Sequence, residues 1–465
     1  MKGSSMGKMA KLWSLMFILG IAPVLAQDKP AAPSGDLTLE EAQKEALEHS
    51  PEYHQALSQE KEKGWGQMEA VSDGFLPHVH VKGQYFLPDP DYTTLNVGFA
   101  LGPGPAASFN FPGIFPEQTV TLDADFDLFD GFKNVHKLDA ANNDHEAAKI
   151  LADWSLLRLG EQVRLNFYES LAAKLLSDMA DENVKTLEDH LRIVQDQLDN
   201  GQATKYDVLR VQVQLSEAKS DQISEHDNVT LARETLARTM GLQIDDRNLT
   251  GTLPVLDSDE ILKEASQSDL AESPELKAHH LQALAAGDMS AAAGSFWFPR
   301  ISIIGEYEWY NSPAYPVDPS TGKNYLSDNG NFNTAYFLGA AASWDILDGG
   351  LSVAKANEAG EQANQAKDMD KATQLQTPYD FDLWKRKLVS SVALYKAKLT
   401  DVDTAKESAR LATVGFKAGT RTTTDVLDAE YEEYRASAGL VEAQLGALEA
   451  LIHLELVTGK RFIHD

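Results

Sequence analysis

The sequence predicts an α+β membrane protein in which each chain contributes four β-strands to an oligomeric barrel that continues into a long coiled-coil tube. Three observations predict it. The chain carries two copies of one pattern. The segments before each long helix alternate strictly between apolar and polar residues. Two stretches of 67 residues, 133–199 and 351–417, are helical in pattern almost throughout.

The repeat organises everything else. "HSPEYH" from His49 pairs with "ESPELK" from Glu272, "FLPHVHVKGQY" from Phe75 with "WFPRISIIGEY" from Trp297, and "FDLFDG" from Phe126 with "WDILDG" from Trp344. From the last pair onward the offset is constant at 218, so Gly201 maps to Gly419 and Asp207 to Asp425. Residues 37–256 form the first unit and 257–465 the second. Each reads helix, strand, loop, strand, long helix, tight turn, helix.

The strands come from parity. Val120, Leu122, Ala124, Phe126 and Leu128 share one face of the second strand, and Thr119, Thr121, Asp123, Asp125 and Asp127 share the other. Leu338, Ala340, Ala342, Trp344 and Ile346 repeat the apolar face. In the preceding strands Val79, Val81 and Tyr85 oppose His78, His80, Lys82 and Gln84, and Ile301, Ile303, Tyr307 and Trp309 oppose Ser302, Glu306 and Glu308. About ten alternating residues with aromatics toward the ends is the pattern of a membrane-spanning strand; a half-buried sheet of a soluble protein is the alternative. The expected strands are 75–88, 117–128, 297–311 and 333–347. The Gly- and Pro-rich segments Pro88–Pro116 and Asn311–Asn331 read as loops.

The helices follow from period and breakers. A 67-residue helix is about 100 Å long. Pro378 and its repeat partner Gly160 sit at one register, which predicts a break or kink there. The shorter helices, 204–240 and 422–458, carry a seven-residue seam: Val208, Val211, Leu215 and Ala218 in one, Val426, Ala429, Ala436, Leu440, Ala443 and Ala447 in the other. Gly201 and Gly419 suit the left-handed position that ends a helix. Thr204 with Asp207, and Thr422 with Asp425, fit the pattern that starts one.

Composition sets the compartment. Lys2, Lys8 and Lys11 precede an apolar run, Leu12 to Val24, and "VLA" ending at Ala26 reads as a cleavage site, so residues 1–26 are expected to be a secretory signal and 27–36 a flexible leader. The chain has no cysteine, which excludes disulfides, thiolate metal sites and a lipid-anchored cysteine. Its net charge of −30 argues against nucleic-acid partners. No catalytic constellation emerges: "DHEAAK" at Asp144 has Lys149 where a zinc HExxH needs histidine. His78 and His80 share a strand face and read as polar lumen or rim residues, with contact to a metal the alternative; no metal or cofactor is expected.

Four membrane strands cannot close a barrel, and an open edge cannot persist in lipid. Three copies give twelve strands and a water-filled lumen, whereas two give eight and a filled interior. The lumen face then carries Asp123, Asp125, Asp127, Glu306, Glu308 and Asp345.

"VGFKAGTRTTTDVLDAEYEEYRA" from Val414, the two-copy arrangement, the "SPE" helix starts and the strand-Asp-Gly-helix joints resemble the TolC family of outer-membrane efflux proteins across essentially all of the chain after residue 26. The resemblance implies a homotrimer in the outer membrane of a Gram-negative bacterium, extending into the periplasm and joined to an inner-membrane pump by a periplasmic adaptor. It implies that Asp425 and Asp428 line the periplasmic entrance; for Asp425 a helix-capping role is the other reading. It also implies that the tips, Gly201, Thr204, Gly419 and Thr422, meet the adaptor, and that Arg421 bridges to Asp207 to latch the closed tip. The family's latch tyrosine falls at Phe416, which has no hydroxyl. An exit duct for secreted polypeptides and a secreted scaffold without a pore are the competing functions.

Overall fold

The computed structural model describes residues 35–85, 94–99, 107–112, 118–311 and 333–462. The expected signal segment and nearly all of the leader lie outside the described residues. The elements in chain order are α1 (Leu39–His49), α2 (Pro51–Phe75), β1 (His78–Tyr85), β2 (Thr94–Phe99), β3 (Ala107–Pro112), β4 (Gln118–Phe129), α3 (Lys133–Asp199), α4 (Lys205–Thr239), α5 (Ser258–Ala265), α6 (Pro274–Gly294), β5 (Arg300–Asn311), β6 (Asn333–Ser343), α7 (Leu351–Lys417) and α8 (Thr423–Thr458).

β1, β4, β5 and β6 form one antiparallel sheet in that order. The register keeps the expected faces together as far as Asp127, beyond which a bulge takes Leu128 out of the ladder and sets Phe129 opposite Ile301. Val81 lies opposite Leu122 and Leu122 opposite Tyr307, while His80 lies opposite Asp123 and Asp123 opposite Glu306. β4 and β5 have 12 residues each. At about 3.3 Å per residue and a tilt near 45°, such a strand rises about 28 Å, the thickness of a bilayer's hydrocarbon layer.

Two expectations about the strands need correction. The segment Pro88–Pro116, read as a loop, contains the antiparallel hairpin β2–β3, a separate two-stranded sheet. Glycine and proline mask it in the sequence, yet "TLNVGF" and "ASFNFP" are short strand-like runs on either side of the turn signal "GPGP". The last strand was expected to reach residue 347 but ends at Ser343, opposite Arg300. Its protomer partner begins there, just after Pro299, which has no N–H to continue the ladder. Asp345, expected on the lumen face of that strand, therefore lies beyond it in the exposed joint to α7.

The long helices begin at the Asp-Gly joints. Asp130 Oδ2 accepts the N–H of Asn134 at 2.8 Å, and Asp348 Oδ2 that of Ser352 at 2.8 Å, so each aspartate satisfies an otherwise unpaired first-turn donor. α3 and α7 then run 67 residues without interruption. The break expected at Pro378 is absent: α7 continues through it. Pro378 is exposed, and it removes only the one N–H that the Gln374 carbonyl would accept. Gly160 is equally unbroken, and its carbonyl accepts Gln43 Nε2 of α1 at 3.3 Å.

α4 packs antiparallel on α3, and α8 on α7; α6 lies between α3 and α7. The main core sits midway along the tube, where Val163, Phe167, Leu236, Met240, Leu388, Leu451 and Leu454 are buried together with Ala42 and Ala46 of α1. A smaller core lies toward the tips, with Val194, Val208, Val211 and Leu427. Of the expected seam, Val208, Val211, Leu215 and Ala218 enter the smaller core and Ala447 the main one, while Ala429, Ala436 and Leu440 stay only partly buried. At the other end of each short helix, Gly241 (φ +78°) and Gly459 (φ +67°) turn the chain so tightly that a Cβ would strike the His49 carbonyl and the Pro274 ring respectively. These are repeat-related glycines meeting repeat-related "SP" joints.

Candidate functional site

The two helix-turn-helix tips are built alike. At the first, Gly201 takes φ +73°, its N–H donates to Leu198 O at 2.9 Å and Gln202 N–H donates to Gln197 O at 2.7 Å. At the second, Gly419 takes φ +74°, with Gly419 N–H to Phe416 O at 2.9 Å and Thr420 N–H to Gly415 O at 2.8 Å. Both are Schellman closures. The stem of Arg421 folds back over Gly415, where a Cβ would collide with its Cγ. Phe416 is half-buried and contributes its carbonyl to the turn.

Each following helix opens with a reciprocal cap. Thr204 Oγ1 accepts the Asp207 N–H at 3.3 Å, and Asp207 Oδ2 accepts the Thr204 N–H at 2.8 Å. Thr422 and Asp425 repeat this at 3.2 and 2.8 Å. The Thr204 hydroxyl and N–H, with Arg210 nearby, hold the Asp207 carboxyl below the usual range. The Thr422 N–H and hydroxyl do so for Asp425, with Arg421 adding to the effect. Asp425 is thus a capping residue within the protomer.

Asp428 is different. Its Oδ1 lies 3.2 Å from Arg210 Nη2, and Arg210 Nη1 donates to Thr424 Oγ1 at 3.1 Å. Arg210 and Asp428 are each other's repeat equivalents, so the link spans the pseudo-twofold relation between the two tips. The constant offset of 218 makes the two positions equivalent, but nothing in the sequence alone says that they meet; opposite charges at matched positions of two packed copies were the available signal. Nearby, His190 Nε2 of α3 lies 2.8 Å from Glu430 Oε2 of α8. Arg421 makes no ion pair with Asp207 inside one protomer. The cation beside Asp207 is Arg210, and the one beside Asp425 is Arg421.

The polar barrel face is less acidic than its composition implies. Lys82 Nζ lies 2.9 Å from Asp123, Arg300 Nε 2.7 Å from Asp127, and His78 and His80 lie 3.8 and 3.9 Å from Asp125. Among the described residues Glu306 and Glu308 have no ion-pair partner. β6 presents Ala335, Phe337, Gly339 and Ala341 on this face, beside the two glutamates. On the opposite face Val81, Tyr336 and Leu338 are 71–81% exposed in the single protomer. An apolar surface of that extent on a sheet marks a lipid or subunit contact.

A sheet apolar outside and polar inside, mounted on helices about 100 Å long that end in capped polar turns, defines a barrel-and-tunnel channel protein of the outer membrane. The chain belongs to the outer membrane efflux protein family, whose sequence profile matches residues 43–242 and 265–460. It is 25% identical over 381 residues to the outer membrane efflux protein BepC of Brucella suis biovar 1, covering 79% of this chain and 76% of that protein. It is 22% identical over 329 residues to the alkaline protease secretion protein AprF of Pseudomonas aeruginosa, covering 67% of this chain and 64% of AprF. The structure of the outer membrane protein VceC from Vibrio cholerae superposes with a TM-score of 0.69 at 17% identity, covering 91% and 97% of the two chains. The protein is accordingly an outer-membrane efflux channel whose helices extend into the periplasm.

Proposed function

We propose that three copies close one twelve-stranded barrel and one helical tube, through which an inner-membrane pump, coupled by a periplasmic adaptor docked at the tips, expels small molecules. The observation that carries this reading is the four-stranded sheet with both edge strands, β1 and β6, paired on one side only. Unpaired edges cannot stand in lipid, and twelve strands are needed before a water-filled lumen opens. The paired aspartates of the second tip support the gate. Three copies of Asp425 and Asp428, on one helix face three residues apart, place six carboxylates around the axis and favour cations. Arg210 holds Asp428 in each protomer, and Arg421 is available to Asp207 of a neighbouring copy.

Planar-bilayer recording tests the gate. Replacing Asp425 and Asp428 together by Ala reduces cation preference and relieves block by multivalent cations, while the purified protein keeps its threefold image in the electron microscope. Unchanged selectivity in a folded double mutant leaves both residues with structural roles alone. The similarity to AprF favours a second reading, an exit duct for a secreted polypeptide. A deletion strain separates the two: increased drug or metal sensitivity with an unchanged set of secreted proteins supports small-molecule efflux, and the reverse supports secretion.

A further inference from the structure

Where the tube meets the barrel, three side chains from both halves of the repeat converge outside any site described above. His136 and Asp139 lie three residues apart near the start of α3, on one helical face. Asp288 comes from the last two turns of α6. One ligating atom from each of the three falls within 4.8 Å of the other two.

The histidine is the unusual member. Its Nδ1 is shut off from water and has no hydrogen-bond partner. Asp288 Oδ1 stands 3.7 Å from it, too far for a hydrogen bond. The other oxygen, Oδ2, is held at 3.2 Å by the Asn143 side-chain amide, also on α3. A carboxylate steadied by an amide, aimed at an unpartnered imidazole nitrogen beside a second carboxylate, is the arrangement of metal ligands and their outer support. Bonds of about 2.0–2.1 Å to a tetrahedral ion put ligand atoms about 3.3 Å apart. At 3.7 Å between His136 Nδ1 and Asp288 Oδ1, and up to 4.8 Å across the three, the observed spacing is wider, and side-chain rotation closes it around the ion.

We propose that His136, Asp139 and Asp288 bind one divalent transition cation of the zinc class, with water at the fourth position. One nitrogen and two carboxylate oxygens suit Zn²⁺ and Co²⁺, and a chain without cysteine offers no competing thiolate. Such an ion clamps α3 of the first repeat to α6 of the second directly beneath the barrel, fixing the angle at which the strands leave the tube.

The test uses the full-length protein, purified untagged in detergent and stripped with EDTA. Titration with Co²⁺ produces the visible absorption of a four-coordinate ion, saturating at one per chain and bleached by Zn²⁺. His136→Ala abolishes it, and Asp139→Asn and Asp288→Asn each weaken binding at least tenfold. His136→Gln serves if the alanine variant does not fold. A control, His78→Ala with His80→Ala, leaves binding unchanged. Zn²⁺ raises the melting temperature of the wild type and not of the His136 variant, because the ion binds only the folded arrangement. The proposal is overturned by an absence of saturable Co²⁺ binding. It is equally overturned by binding that survives in a folded His136 variant or disappears with the barrel histidines.

Discussion

At the scale of the residue, the tip separates capping from latching. Thr204, Asp207, Thr422 and Asp425 are spent on starting helices, whereas Arg210 and Asp428 join two of them. That pair is half to two-thirds exposed on the aspartate side, so its coupling is at most about 1 kcal/mol. A double-mutant cycle with Arg210→Ala and Asp428→Ala, read by single-channel conductance, shows each mutation loosening the tip and the pair adding little to either; fully additive effects place the restraint elsewhere. The capping carboxylates set a pH dependence. Both have folded values depressed below the ordinary 3.8, so their stabilisation is complete above that pH and is lost as pH falls through the folded value. Amide-exchange protection at residues 204–208 and 422–426 is therefore steady from pH 7 to pH 5 and declines together below about pH 4. A loss that begins well above pH 4 places the stabilisation outside the two caps. The caps were legible in the sequence because their pattern is local. The Arg210–Asp428 contact was not, because it depends on how two copies of the repeat face one another.

At the scale of the element, period and breakers located both long helices, and the alternation of Val120 to Leu128 against Thr119 to Asp127 located β4. Errors fell where tertiary pairing overrides local signal. Pro378 is tolerated because α7 is held along its length by α6 and α8. β6 stops early because its partner does. A buried charged link between elements was also invisible. Arg164 of α3 lies 3.1 Å from Glu161 and 2.5 Å from Glu455 of α8, and Arg461 lies 2.8 Å from Glu161. Phe462 N–H donates to Glu455 at 2.7 Å. Both glutamates are fully buried. In sequence these look like ordinary charges on a charged helix; only the fold shows that they share one dry site. Arg164→Ala leaves two buried carboxylates with too few partners and destabilises the protein by about 3–5 kcal/mol. Differential scanning of the detergent-solubilised protein checks this. A loss under 1 kcal/mol indicates that the site is wet and the network weak.

At the scale of the whole molecule, the central claim is that one chain is incomplete and that β1 of each copy pairs with β6 of the next. Within a protomer those strands are separated by β4 and β5, three spacings or about 14 Å. A disulfide needs Cα atoms within about 7 Å, so it cannot form between them inside one chain. The sequence has no native cysteine to confuse the result. Pairing Val81→Cys in turn with Tyr336→Cys, Leu338→Cys and Ala340→Cys, then oxidising the protein in outer membranes, tests the claim directly. At one or more registers the account predicts covalent dimers and trimers on denaturing gels, reverting to monomer on reduction, with nothing above the trimer. Absence of cross-linking at every register, or a ladder that stops at two or continues past three, contradicts it.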